Sequence, residues 1–106
     1  MGYTRPTTKS ERRIESDLCK GVKALGGRAY KFLSPGRSGV PDRIVCLPGG
    51  YVVFVELKTE DGKLSEQQKK RIEELQKMGQ DVCVIYGEKD LHYFLLYAKE
   101  RVNNAV

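Results

Sequence analysis

Three residues in the middle of this chain have side chains that could do chemistry together: Asp42, Glu56 and Lys58. Asp42 opens an apolar run, Arg43 to Leu47, and Glu56 and Lys58 close a second, Tyr51 to Val55, with Pro48-Gly49-Gly50 between them. Two apolar runs around a Pro-Gly-Gly turn read as a β-hairpin. In an antiparallel hairpin the start of one strand lies beside the end of the next, so Asp42 is brought near Glu56 and Lys58. Glu56 and Lys58 are two apart and share a face of the strand. Two carboxylates and an ammonium converging at one sheet end can hold a divalent metal and act on a phosphate. Hard carboxylate oxygens suit Mg²⁺ or Mn²⁺. The bland reading of Glu56 and Lys58 is a plain ion pair just past the end of the strand.

The elements around the hairpin follow from pattern. Ile14, Leu18, Val22 and Leu25 form one apolar stripe of a helix that Gly26-Gly27 ends. Thr8 and Glu11 have the spacing of a capping box at its start. Glu15 falls at the rim of the stripe, within about 20° of Val22 at 100° per residue. A carboxylate there needs a partner to offset desolvation; Glu11, one turn earlier, reads as a capping acid. Arg28 to Leu33 reads as a strand, and Ser34 to Pro41 as a turn-rich loop that delivers Asp42. Arg37 on that loop is either a solvated charge or a phosphate contact. Val52 to Val55 is apolar without alternation, as in a strand covered on both faces. Ser65 and Gln68 fit a capping box for a second helix ended by Gly79. Asp81 to Tyr86 is a further strand, and Asp90 is expected to cap a last helix carrying Leu91, Phe94, Leu95, Ala98 and Val102. The order α-β-β-β-α-β-α implies an α/β fold: a mixed four-stranded sheet flanked by helices on both faces, plus a C-terminal helix. Residues 1–8 read as a flexible basic arm, 9–102 as one domain and 103–106 as a frayed tail.

Composition narrows the classes of partner. The 106 residues carry a net charge of +5, with nine lysines and arginines against three acids in residues 1–37. A basic end on a near-neutral body suits a polyanion. There is no apolar run that could cross a membrane. Cys19, Cys46 and Cys83 are odd in number, fit no zinc spacing and read as buried free thiols in a reducing cytosol. His92, the single histidine, reads as a surface residue.

The finer pattern resembles the VRR-NUC branch of the PD-(D/E)xK nuclease superfamily. The resemblance is carried by Ile14-Glu15-x-x-Leu18, by Ser34-Pro-Gly-Arg-Ser-Gly-Val-Pro-Asp42, and, after a thirteen-residue gap from Asp42, by Glu56-Leu57-Lys58 at the end of Phe54-Val-Glu-Leu-Lys58. Gly62-Lys-Leu-Ser65 and Gln68 leading to Gly79 complete it. It implies a restriction-endonuclease-like α-β-β-β-α-β core and a metal-dependent DNA endonuclease. In that family's terms Asp42, Glu56 and the backbone carbonyl of Leu57 ligate Mg²⁺ or Mn²⁺. Glu15 is an outer or second-metal carboxylate, Lys58 orients the attacking water, and Gln68 supports the site, with Gln67 as the competing assignment. One metal or two is left open. Arg37, Ser38 and Lys31 are the expected DNA contacts. Compact phage and bacterial members imply a cytoplasmic homodimer that resolves four-way (Holliday) junctions, branched DNA being the partner. A less selective nicking or flap endonuclease and a non-catalytic nucleic-acid-binding module are the alternatives; clustered acids argue against the last, because they repel DNA.

Overall fold

A computed structural model describes residues 10–105. The expected flexible arm, Thr8 included, lies outside them. Helix α1 spans Glu11–Ala24, strands β1, β2 and β3 span Arg28–Lys31, Arg43–Leu47 and Tyr51–Lys58, α2 spans Glu66–Lys77, β4 spans Val82–Tyr86 and α3 spans Gly87–Asn104. The four strands form one sheet in the order β1-β2-β3-β4. The first three make an antiparallel meander, and β4 joins β3 in parallel after the α2 crossover. This is the mixed sheet and element order that the sequence implies.

The sheet has two unlike faces, and alternation sorts its residues between them. Val53, Val55 and Leu57 of β3 point to one side with Val45, Leu47 and Ile85, and meet Ile14, Leu18 and Val22 of α1 and Leu91, Phe94 and Ala98 of α3. All of these are buried. The even-numbered residues of β3 point the other way, toward α2. That second face is only partly covered: α2 contributes a single buried residue, Ile72, and Val52 stays 45% exposed. The uniformly apolar run Val52–Val55 therefore does not mark a strand buried on both sides. It reflects one well-packed face and one half-open face.

Three helix ends differ from the sequence reading, β1 stops at Lys31 rather than Leu33, and β4 starts at Val82 rather than Asp81. The N-cap of α1 is Ser10, whose hydroxyl accepts from the Arg13 backbone N–H at 3.2 Å; Glu11 is thus the first helical residue, where a carboxylate also favours the helix dipole. Helix α3 begins at Gly87, three residues before Asp90. Asp90 reaches back to accept the Tyr86 backbone N–H at 2.9 Å, so its carboxylate serves the helix start from inside the first turn. The same helix runs on through Asn104, past Asn103 where fraying was expected. The three cysteines are free and half-buried rather than fully buried.

The α1–sheet–α3 layer is what keeps the hairpin end fixed. Replacing fully buried Leu18 by alanine is expected to cost about 2–5 kcal/mol, the range for a large-to-small change in a well-packed core. Urea unfolding monitored by circular dichroism measures it.

Candidate active site

The register of the hairpin builds the site. Arg43 pairs with Val55, so the next step outward sets Asp42 opposite Glu56. Pro41 is fully buried and fixes the entry of the chain. The Asp42 carboxylate then crosses to accept the Leu57 backbone N–H at 2.8 Å. Glu56 points to the α2 side, and it is the one buried charged residue of the described chain, at 1% exposure. Lys58 shares that face; its Nζ lies 3.7 Å from Glu56 Oε2.

Helix α2 completes the group. Ser65 and Gln68 form the expected capping box, with Gln68 Oε1 accepting the Ser65 N–H at 2.8 Å and Ser65 Oγ accepting the Gln68 N–H at 3.1 Å. Fixed in this way, Gln68 has its amide Nε2 left over, and it donates to Glu56 Oε2 at 3.0 Å. Capping and support of the site are thus the same side chain. Gln67, one position earlier on the helix, points to the loop instead and bonds Ser38 Oγ. The geometry separates the two glutamines: Gln68 meets Glu56 and Gln67 does not.

Glu56 Oε1 makes no hydrogen bond and is buried. An acceptor in that condition is costly unless a cation or a proton meets it. Burial is the leading reason why the Glu56 carboxyl is pushed up from 4.5 to about 7. The charge of Asp42 adds to the rise, Lys58 opposes it, and Glu11 contributes a smaller push upward.

That contribution bears on the acid expected from α1. Glu15 is bonded to Arg43 Nε at 3.0 Å. Arg43 pairs with Val55 in the ladder and so belongs to the α1 side of the sheet, away from Glu56. Among the described residues no three His, Cys, Asp or Glu side chains form a group able to hold a metal, so Glu15 does not complete a set with Asp42 and Glu56. The α1 acid whose charge reaches Glu56 is Glu11, which sequence reasoning took for a cap. The missed signal was Arg43, a cation at a position that alternation sends toward α1, where it claims Glu15. The expected DNA contacts are spread out. Arg37, 60% exposed, donates to Glu74 Oε2 at 2.9 Å; Ser38 faces Gln67; Lys31 is exposed at the end of edge strand β1, paired with Arg43.

The VRR-NUC domain family matches residues 7–89. The chain belongs to the VRR-NUC family. A solved structure of a VRR-NUC domain superposes with a TM-score of 0.77 at 34% identity, covering 82% of this chain and 95% of that one. Protein p44 of Acyrthosiphon pisum secondary endosymbiont phage 1, whose name proposes a nuclease, is 45% identical over 75 residues, 71% of this chain and 81% of p44. A nonribosomal peptide synthetase of Aspergillus cristatus, criC, is 38% identical over 79 residues, but the match spans only 4% of its length. The VRR-NUC assignment makes the chain a nuclease. No described helix is long and apolar enough to cross a membrane.

The raised Glu56 carboxyl has a consequence for stability. Between 4.5, its ordinary value, and about 7, its value in the fold, the native chain holds a proton that the unfolded chain has lost. Stability therefore falls as pH rises through that window. In EDTA the loss is expected to reach up to about 3 kcal/mol, and Glu56→Gln abolishes this part of the slope. Urea unfolding of both proteins at pH 5 and pH 8 measures the difference.

Proposed function

We propose that this VRR-NUC chain is a divalent-metal-dependent endonuclease that hydrolyses phosphodiester bonds in branched DNA, four-way junctions foremost, as a homodimer. The observation that carries the metal reading is the buried, unbonded Oε1 of Glu56 beside a second acid, Asp42. A hard dication satisfies that oxygen and removes the repulsion between the two carboxylates. The donor set fits Mg²⁺ or Mn²⁺, since it is all oxygen: Asp42, Glu56 and the Leu57 backbone carbonyl. Among the described residues two carboxylates lie at this point, so this chain would offer a bound Mg²⁺ few side-chain ligands, as such ions commonly accept. Glu11 is the α1 acid placed to act at longer range.

When bound, such an ion supplies Lewis acidity toward water and phosphate. The chain's own residues do the remainder. Gln68 holds Glu56 Oε2 at 3.0 Å and leaves Oε1 free. Lys58 keeps an ammonium 3.7 Å from Glu56 Oε2, where it can orient the attacking water and steady charge on the phosphate. Arg37, exposed on the loop before Asp42, is read as a phosphate contact, with Ser38 and Lys31 as further DNA contacts. Junction preference is supported by symmetry: a four-way junction has an approximate two-fold axis, and an isologous dimer presents two sites related in the same way.

Cleavage of labelled four-way junction, flap and linear duplex with Mg²⁺, Mn²⁺ or EDTA tests the reading. Junction cutting that stops in EDTA is expected, and equal cutting of all three DNAs rejects the selectivity. Lys58→Ala is expected to reduce cutting at least about 100-fold, within the range of lost proton-transfer or charge-stabilising groups, while gel-shift binding to the junction persists. Asp42→Asn is expected to remove Mn²⁺ binding in calorimetry; retained binding with retained activity counts against the ligand assignment.

A further inference from the structure

We propose that Arg71 is a positioning residue of this site: it registers α2 against the Ser34–Pro41 loop and so keeps Gln68 on Glu56. The kcat and Mn²⁺ arms of its test rest on the metal-dependent nuclease reading above; the Gln68 arm does not.

Helix α2 is poorly anchored by apolar burial. Its buried residue is Ile72 alone, whereas α1 and α3 bury three and four residues each. The position of α2 over the sheet therefore depends on polar straps. Gln68, Arg71 and Ile72 are three and four residues apart, so they share one side of the helix. On that side Gln68 reaches Glu56, Ile72 is buried and Arg71 reaches the loop. Arg71 Nε donates to the Ser38 carbonyl at 2.9 Å, and its Nη1 donates to Glu74 Oε2 at 3.0 Å. The same Glu74 oxygen receives Arg37. One guanidinium, only 13% exposed, thus ties loop backbone to helix, through a carboxylate that also holds a loop side chain.

The loop is shaped to receive this strap. Gly39, the next residue after Ser38, has φ +83° and lies against the α2 backbone; a Cβ there would sit 2.5 Å from the Gln67 carbonyl oxygen. Only glycine permits both the conformation and the approach. Three residues later the chain delivers Asp42. The loop that carries one acid is therefore pinned to the helix that supports the other. Hydrogen bonds weaken steeply beyond their normal distance, so a slip of about 1 Å in α2 breaks the Gln68–Glu56 contact. An ammonium cannot replace the guanidinium, because the two acceptors are met by two N–H groups in a fixed fork.

Arg71→Lys and Arg71→Ala test this beside wild type, with Glu73→Gln, at an exposed pair elsewhere on α2, as control. Three quantities are measured on folded protein: kcat and KM on the four-way junction, Mn²⁺ affinity by calorimetry, and the ¹⁵N-edited NMR signals of the Gln68 side-chain amide without metal. In both Arg71 variants kcat and Mn²⁺ affinity are expected to fall about tenfold or more, as for groups that orient metal ligands. KM is expected to stay within about threefold, and the Gln68 amide signals to move toward those of a solvated amide. The control is expected to match wild type. A lysine variant with wild-type kcat, Mn²⁺ affinity and Gln68 signals overturns the proposal. So does a rise in KM with kcat unchanged, which makes Arg71 a DNA contact, or a loss of kcat that only follows the unfolded fraction in urea titrations. A wild type that cuts no DNA rejects the nuclease reading instead, and the Gln68 signals then decide the role of Arg71 alone.

Discussion

The burial of Glu56 is the constraint on which the site depends. A carboxylate at 1% exposure costs free energy unless each oxygen has a partner. Here one oxygen has Gln68 and, further off, Lys58, while the other has none. The fold does not relieve this by letting the side chain out, because β3 is the inner strand between β2 and β4. Its neighbours Val55 and Leu57 are locked into the core on the opposite face. The hydrophobic half of the sheet thus holds a polar group in a place where it would not stay by itself. That is the condition under which a carboxylate keeps a raised proton affinity and a strong demand for a cation.

Two kinds of support meet at this residue. On one face, α1 and α3 pack as an apolar layer that is insensitive to the chemistry opposite. On the other, α2 is held chiefly by directional contacts: a capping box that also serves the site, a guanidinium that spans helix and loop, and a glycine that lets the two backbones touch. Apolar packing tolerates small shifts, whereas hydrogen bonds of fixed length do not. The arrangement gives stability to one half of the molecule and geometric definition to the other. Asp42 belongs to both, since Pro41 beside it is buried and its own carboxylate is tied to the β3 backbone.

Much of this was legible in the order of residues. The hairpin, the placement of Asp42 beside Glu56 and Lys58, and the α-β-β-β-α-β-α order all follow from short-range periodicity, which acts within one element or one turn. Less legible was anything that required choosing between neighbours on the same helix face. Glu11 and Glu15 are one turn apart, and either could have faced the site. The choice was made by Arg43, on a strand that lies far along the chain and presents its guanidinium to α1. Val52–Val55 read as a strand covered on both sides because apolar composition alone does not say how far α2 extends over the sheet.

The sequence by itself determined the elements, the hairpin register and the identity of the acids and the lysine at its end, because alternation and turn chemistry are local. Only the tertiary structure decided which glutamine of α2 meets Glu56, which acid of α1 is taken by Arg43, and that one Glu56 oxygen is left without a bond. Those outcomes depend on distances between residues remote in the chain. Such distances are set by how the helices seat on the sheet, and no local pattern encodes them.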